Sequence, residues 1–326
     1  MNTLYPIKFA PICFEKIWGG NRLKTLLNKK YDSKNCGESW EISGVEGNIS
    51  VVANGFLKGN DLSELIEIYM GDLVGDKVYE KFGAEFPLLI KFIDAQDDLS
   101  IQVHPNDELS KERHNAFGKT EMWYVVDVAE GALINSGFNQ PVNKEKYIEY
   151  LENGNLIDLL KYDEADVGDV YFIPAGRVHA IGKGSLVAEI QQTSDVTYRI
   201  FDYNRKDDKG NERELHTEFA LDAIDFSYLE DYKTKYRAET NKSTEIVSCK
   251  YFTTNILEFD KTIEKDYFQI DSFVIYITLE GFFEIETEAG TEKVSKGETV
   301  LIPANIDLLK LKPLNGKVKL LEVYVD

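Results

Sequence analysis

The chain has 326 residues, 43% hydrophobic and 29% charged, enough to bury a large core and to divide into one to three domains. Its net charge of -20 excludes a nucleic-acid partner or an anionic membrane surface, both of which select for Lys and Arg, so any phosphate must be met by a local cluster of cations. No run approaches the roughly 20 apolar residues of a membrane span. The first residues, with Lys8, Glu15 and Lys16, lack the apolar stretch of a signal peptide. Cys13, Cys36 and Cys249 match no zinc-ribbon spacing and read as free thiols, so a cytoplasmic protein is expected.

Residues 1–60 alternate short β-type runs with turns, and Asn54-Gly55 predicts a two-residue hairpin. Trp18 and Trp40, each near glycines, read as a packed corner. From Asp61 the spacing of Leu62, Leu65, Ile66, Tyr69 and Met70 predicts a helix, opened by Asp61 and Glu64 as a capping pair. Pro87 to Ile93 reads as a buried strand that leads into Leu99 to Asp107. In that stretch Ile101 and Val103 point one way and Ser100, Gln102 and His104 the other. Pro105 has no N–H for the ladder and ends the strand where His104 sits.

A short helix is predicted over 106–114, capped by Asn106 or Asp107, with His114 in a packing role. Glu121 follows Gly118-Lys119-Thr120 at the start of an apolar, aromatic strand. The stretch 143–162 has helical spacing that breaks at Gly154 and resumes at Leu156, Leu159 and Leu160. Residues 168–179 give a short strand, a Pro/Gly turn and then His179. Gln102, His104, Glu121 and His179 form an N/O set suited to a divalent metal such as zinc, in a chain with only four histidines.

Further on, alternation puts Val187, Glu189 and Gln191 on one strand face, and a carboxylate facing inward there needs a task or a partner. Glu189 reads equally well as a proton-transfer base and as a group that pairs with Arg199 or orients His179. Arg199, in the aromatic strand 198–201, needs an anion to meet. Lys183 reads as a solvated loop residue, and His216 as a residue before a helix start. That helix, 217–224, is expected to turn Phe219, Ala220, Ala223 and Ile224 inward, and 230–248 reads as a linker.

The chain repeats itself. Gly168 to Ala175 recurs as Gly297 to Ala304, a displacement of 129, and Trp123 to Gly131 recurs loosely as Phe273 to Gly281, a displacement of 150. The difference of 21 residues matches the helical insertion near 140–160. Carried forward, these displacements set Leu308 opposite His179 and Asp271 opposite Glu121, so the second copy lacks the metal set. The expected organisation is a catalytic module over 1–240 and a C-terminal module over 241–326.

The pattern Gly-Asp-x-x-x-x-Pro-x-Gly-x-x-His at 168–179 resembles the second motif of the cupins, antiparallel jelly-roll barrels. Together with Ser-Ile-Gln-Val-His-Pro at 100–105, Gly-Lys-Thr-Glu at 118–121, Tyr-Arg-Ile-Phe-Asp-Tyr at 198–203, Trp18-Gly19-Gly20 and Gly37 to Glu41, it resembles the short bacterial form of the type I mannose-6-phosphate isomerases. The resemblance implies a mainly β fold of two cupin modules with a small helical insertion, acting on a phosphorylated hexose as monomer or homodimer. It implies one zinc ion on Gln102, His104, Glu121 and His179, catalytic roles for Arg199, Glu189 and Lys119, and Ser100, Lys119, Arg199 and Arg205 as the substrate-binding residues. An aldose–ketose exchange through an enediol is then expected. An oxygenase on a 2-His-1-carboxylate site and a non-catalytic sugar-phosphate binder remain as alternatives at this point.

Overall fold

The computed structural model describes residues 3–206 and 210–325. The chain opens with β1 (Ile7–Lys8), β2 (Ile12–Gly20), α1 (Arg22–Thr25) and β3 (Cys36–Ile42). The helices α2 (Leu62–Tyr69), α3 (Gly71–Val74) and α4 (Asp76–Phe82) precede β4 (Leu88–Asp94), β5 (Ile101–Val103) and α5 (Asp107–His114). Next come β6 (Glu121–Val128), β7 (Leu133–Phe138), α6 (Lys144–Glu152) and β8 (Leu160–Glu164). The first barrel closes with β9 (Val170–Ile173), β10 (His179–Ile181), β11 (Ser185–Gln192) and β12 (Tyr198–Phe201), followed by α7 (Thr217–Ala223). The second is built from β13 (Lys242–Ser248), β14 (Thr253–Phe259), β15 (Ile263–Asp266), β16 (Val274–Glu280), β17 (Phe282–Thr287), β18 (Gly290–Ser295), β19 (Thr299–Ile302), β20 (Leu308–Pro313) and β21 (Val318–Tyr324).

Among the described residues the first barrel consists of two sheets, in the orders β2-β3-β4-β11-β6-β9 and β12-β5-β10-β7-β8. Trp123, Val125 and Val187 of one sheet pack against Ile134 and Ile181 of the other, with Leu99 between. The second barrel has the orders β1-β19-β16-β21-β14-β13 and β15-β20-β17-β18. β1 is therefore an N-terminal strand laid on the C-terminal barrel, pairing Ile7 with Leu301. Buried Lys29 adds a second link, its ammonium meeting both the Glu41 carboxylate and the Gly297 carbonyl. No helix among the described residues is long and apolar enough to cross a membrane.

The repeat is real in three dimensions, and pairing corrects its register. Trp123 pairs with Tyr171 in the first barrel and Tyr276 with Val300 in the second. Since Val300 lies 129 residues beyond Tyr171, the strands β6 and β16 correspond at a displacement of 153, and Val274, not Asp271, occupies the place of Glu121. Asp271 instead accepts from the backbone N–H groups of Asp76 and Lys77 at 2.7 and 3.2 Å, capping α4. Leu308 opens β20 as His179 opens β10, so the second barrel presents two apolar side chains where the first has Glu121 and His179.

Several local expectations shift. The Asp61–Glu64 capping box forms, but Met70 falls outside α2 at φ 46° and is exposed, because the chain turns into α3 there. Asn54-Gly55 begins a longer turn closed by Val52 N–H on the Asn60 carbonyl, since the Asn54 amide is held by Pro6 and Lys8. Leu160 belongs to a strand rather than to the helical insertion, and Phe219 is exposed on α7 while Ala220 is buried. Cys13 and Cys36 are joined in a disulfide rather than left as thiols, because the pairing of β2 and β3 brings their Cα atoms to 6.0 Å; Cys249 is free.

The turn between β9 and β10 depends on Gly176 at φ 91°, where a Cβ would lie 3.0 Å from the Ala223 carbonyl oxygen. Its N–H donates to the His104 carbonyl at 2.9 Å, tying two ligand-bearing segments together. Gly176→Ala is expected to lower stability by about 1–3 kcal/mol, read as the midpoint of a urea melt. An unchanged midpoint refutes the demand for glycine at this turn.

Candidate active site

His104, Glu121 and His179 meet on the inner face of the first barrel, each buried. His104 lies just past β5, Glu121 opens β6 and His179 opens β10, so each side chain sits where a strand meets a turn. The His104 Nδ1–H donates to the Val196 carbonyl at 3.0 Å and the His179 Nδ1–H to the Arg177 carbonyl at 2.8 Å. A carbonyl can only accept, so both Nδ1 atoms carry the proton and both Nε2 atoms present lone pairs. Those Nε2 atoms lie 3.1 Å apart, and the Glu121 oxygens stand 3.4 Å from His104 and 3.5 Å from His179.

This group is repulsive unless a cation joins it. Neither Glu121 oxygen has a hydrogen-bond donor, although both are buried. Burial pushes the His104 imidazole down to about 3, with Lys119 adding to the shift, and it lowers His179 as well, so neither ring supplies a proton near neutral pH. Glu121 is held below the usual carboxylate range by Lys119 and the two histidines, despite its burial. Donors about 2.0–2.1 Å from a tetrahedral ion lie about 3.3–3.4 Å from one another. The observed 3.1 to 3.5 Å separations fit that polyhedron. The Gln102 amide ends 3.4 Å from His179 Nε2 and, turned over, would direct its oxygen to the same point.

Above these residues opens a cavity of about 330 Å³ lined by Ser100, Gln102, Lys119, Glu189 and Arg199, among others. Lys119 reaches to 3.4 Å from Glu121. The Glu189 carboxylate accepts from Trp123 Nε1 at 2.8 Å and ion-pairs with Lys91 at 3.0 Å. Burial pushes Glu189 up; Lys91 opposes the shift and the Glu121 charge adds to it. Arg199 donates through Nη1 to the Glu214 carbonyl at 2.9 Å, while its buried Nε–H has no acceptor. Arg205 lies apart from the lining, its guanidinium held by Asp202 and the Asp98 carbonyl. An open cleft of about 770 Å³ beside Lys81, His114 and Tyr251 shares only Asp195 with this cavity and carries no donor set of comparable convergence.

Lys91, Glu38 and Arg213 were missed from sequence. Lys91 sits in β4, in an otherwise apolar strand, and the clue was that interruption: it contacts Glu189 and Gln191 and lies 5.2 Å over the Trp40 ring. Glu38 is held down to about 2 by Lys91, Lys16 and Trp40, against the cost of burial. Trp18 and Trp40 are not a remote corner, because both line the cavity. Lys183 is exposed, His114 hydrogen-bonds the Tyr198 hydroxyl, and His216 accepts the Arg199 backbone N–H.

A double barrel with one buried donor set beneath a charged cavity defines a two-domain cupin with a candidate metal centre in its first barrel. Residues 7–132 match the catalytic domain of type I phosphomannose isomerase, and residues 242–325 match the cupin domain of mannose-6-phosphate isomerase. Mannose-6-phosphate isomerase ManA from Bacillus subtilis (strain 168) is 35% identical over 316 residues, 95% of this chain and 96% of that protein. The mannose-6-phosphate isomerase of Streptococcus mutans serotype c is 34% identical over 293 residues, 90% of each chain. The crystal structure of mannose 6-phosphate isomerase from Bacillus subtilis superposes with a TM-score of 0.89 at 33% identity, covering 99% of this chain and 100% of that one. The chain belongs to the type I mannose-6-phosphate isomerase family and is an enzyme of that family.

Replacing Glu121 by Ala removes the only anion of the donor set. Loss of divalent-metal affinity by more than the roughly 10- to 100-fold typical of supporting groups is expected, measured as metal per chain after dialysis against a graded chelator. Retention of metal at wild-type affinity contradicts the assignment.

Proposed function

We propose that the protein is a zinc-dependent isomerase interconverting mannose 6-phosphate and fructose 6-phosphate, working in the cytoplasm as a monomer or homodimer, with no nucleic-acid or membrane partner. The catalytic site lies in a module over 1–240, and 241–326 forms a supporting module. The observation that carries the reading is the convergence of four metal-donor side chains beneath a cavity that also presents a carboxylate of raised pKa and an unpaired guanidinium.

Gln102, His104, Glu121 and His179 hold the zinc, and a neutral amide in place of a second carboxylate leaves it more strongly electrophilic. When bound, zinc would supply positive charge as a Lewis acid to stabilise the negative charge that develops on the sugar oxygens. The Glu189 carboxylate takes the proton from C2; the C2–H pair becomes the C1=C2 bond and the aldehyde oxygen O1 takes up the charge, giving an enediolate, and the C2 hydroxyl proton passes to O1. Glu189 then returns its proton to C1, the C1=C2 pair forming the new C1–H bond while O2 closes to the C2 ketone. Lys119 stabilises the oxygen charge, Arg199 and Ser100 bind the substrate, and Arg205 supports the arginine that faces it. The Lys91 and Trp123 contacts aim the Glu189 carboxylate.

The test is formation of fructose 6-phosphate from mannose 6-phosphate by protein as purified, after chelation, and after zinc is restored. Activity should vanish and return; a metal-replete protein that binds the sugar phosphate without turnover sinks the isomerase reading. Glu189→Gln should lower kcat by roughly 10²- to 10⁴-fold. A base must be deprotonated, so wild-type kcat should fall as pH drops through a value above the usual carboxylate pKa, the direction burial moves Glu189. An acid limb that persists unchanged in residual Glu189→Gln activity assigns the base elsewhere.

A further inference from the structure

Three lysines line the cavity, and each already faces a carboxylate: Lys16 meets Glu38 at 2.9 Å, Lys91 meets Glu189 at 3.0 Å, and Lys119 meets Glu121 at 3.4 Å. The surplus positive charge lies elsewhere in the lining, at Arg199 and Arg213. Arg213 donates to Asp202 through Nε at 2.6 Å and again through Nη2, and Arg205 donates to the same carboxylate. One buried carboxylate thus serves two guanidiniums, and among the described residues Arg199 has no ion pair. With Asp97 added at 4.0 Å from Arg205, the three guanidiniums still outnumber the carboxylates paired with them, which suits a phosphate anion.

We propose that Arg213 is the second phosphate-binding residue of the site, paired with Arg199 and held in place by Asp202, while Arg205 serves behind it without touching substrate. Arg213 is held in two directions by Asp202 yet remains 28% exposed at the cavity, whereas the remaining contacts of Arg205 go to the Asp98 carbonyl and, at 4.0 Å, to Asp97. His216 and Glu214 tie the Arg213 segment to Arg199: the His216 N–H donates to the Arg199 carbonyl at 2.7 Å, the Arg199 N–H donates to the His216 ring Nδ1 at 3.1 Å, and Arg199 Nη1 donates to the Glu214 carbonyl at 2.9 Å. The segment carrying Arg213 therefore runs beside β12. Burial, reinforced by the Arg213 and Arg205 charges and opposed by Asp202 and Glu214, lowers the Arg199 pKa. Asp195, the remaining carboxylate of the lining, makes no ion pair with either arginine among the described residues.

This inference rests on the substrate being a hexose 6-phosphate, and its test separates the two. Steady-state kinetics of wild type, R213A, R213K and R205A with mannose 6-phosphate are combined with inhibition by inorganic phosphate. R213A should raise KM and the phosphate Ki together by roughly 10- to 100-fold, the scale of a lost charge-assisted contact, with kcat within a few fold. R213K should recover part of both, and R205A should move both less than R213A. A fall in kcat at unchanged KM, an unchanged phosphate Ki in R213A, or a larger effect from R205A overturns the proposal. Wild-type protein that never isomerises mannose 6-phosphate overturns the substrate reading instead. If R213A fails to fold, R213K and R213Q read the same contrast between kept and lost charge.

Discussion

Two imidazole lone pairs and a carboxylate face one another in a water-poor interior, and the first barrel is arranged to keep them there. Left alone, such a group costs several kcal/mol. A cation between the donors would turn that repulsion into coordination. The proton positions on both rings follow from where the carbonyls of Val196 and Arg177 lie, so backbone geometry sets the ligand state of each histidine. The loops around the mouth of the barrel serve that constraint: the Gly176 N–H holds the His104 carbonyl, and the Lys119 N–H holds the Pro105 carbonyl.

The same economy of partners governs the cavity above. Its lysines are each matched to a carboxylate, which keeps the net-acidic chain from collapsing its own site into a single cationic knot. Among the described lining residues the matching stops at Arg199, while Arg213 shares the Asp202 carboxylate with Arg205. A protein of charge -20 repels phosphate at long range, so attraction must come from an imbalance a few ångströms across. The site supplies that imbalance where Asp202 serves both Arg205 and Arg213 and Arg199 stands beside them with no ion pair among the described residues.

The convergence of the candidate donors was legible because metal chemistry restricts residue type, and because Pro105 and the Pro/Gly turn mark strand ends in sequence. Glu189 was legible through alternation. What could not be read was anything decided by pairing between distant strands. Lys91 looks like an error in an apolar strand until β11 is laid beside β4 and Glu189 falls opposite it. The equivalence of Glu121 with Asp271 failed by three residues because turns differ in length between the barrels, and a loose match of apolar residues cannot detect such a slip. The disulfide escaped for the same reason, since Cys13 and Cys36 are neighbours only through the pairing of β2 with β3.

Comparison of the barrels shows what separates a site from a core. Register places Glu322 opposite Tyr276 as Glu189 stands opposite Trp123, so both barrels carry a buried carboxylate at one sheet position. In the second barrel Glu322 is met by Ser243 at 2.6 Å, Asn255 at 3.0 Å, Lys265 at 2.6 Å and the Tyr267 hydroxyl. Those donors outweigh burial and lower its pKa, which fixes it as a permanently charged strut. Glu189 has only Trp123 and Lys91, opens onto a cavity, and has its pKa raised. A carboxylate whose lone pairs are all taken cannot accept a proton from a substrate, whereas one left short of donors can. The two barrels thus differ in how many hydrogen-bond donors surround the same residue type at the same place in the sheet, as well as in the Val274 and Leu308 that stand in the second where the first has Glu121 and His179.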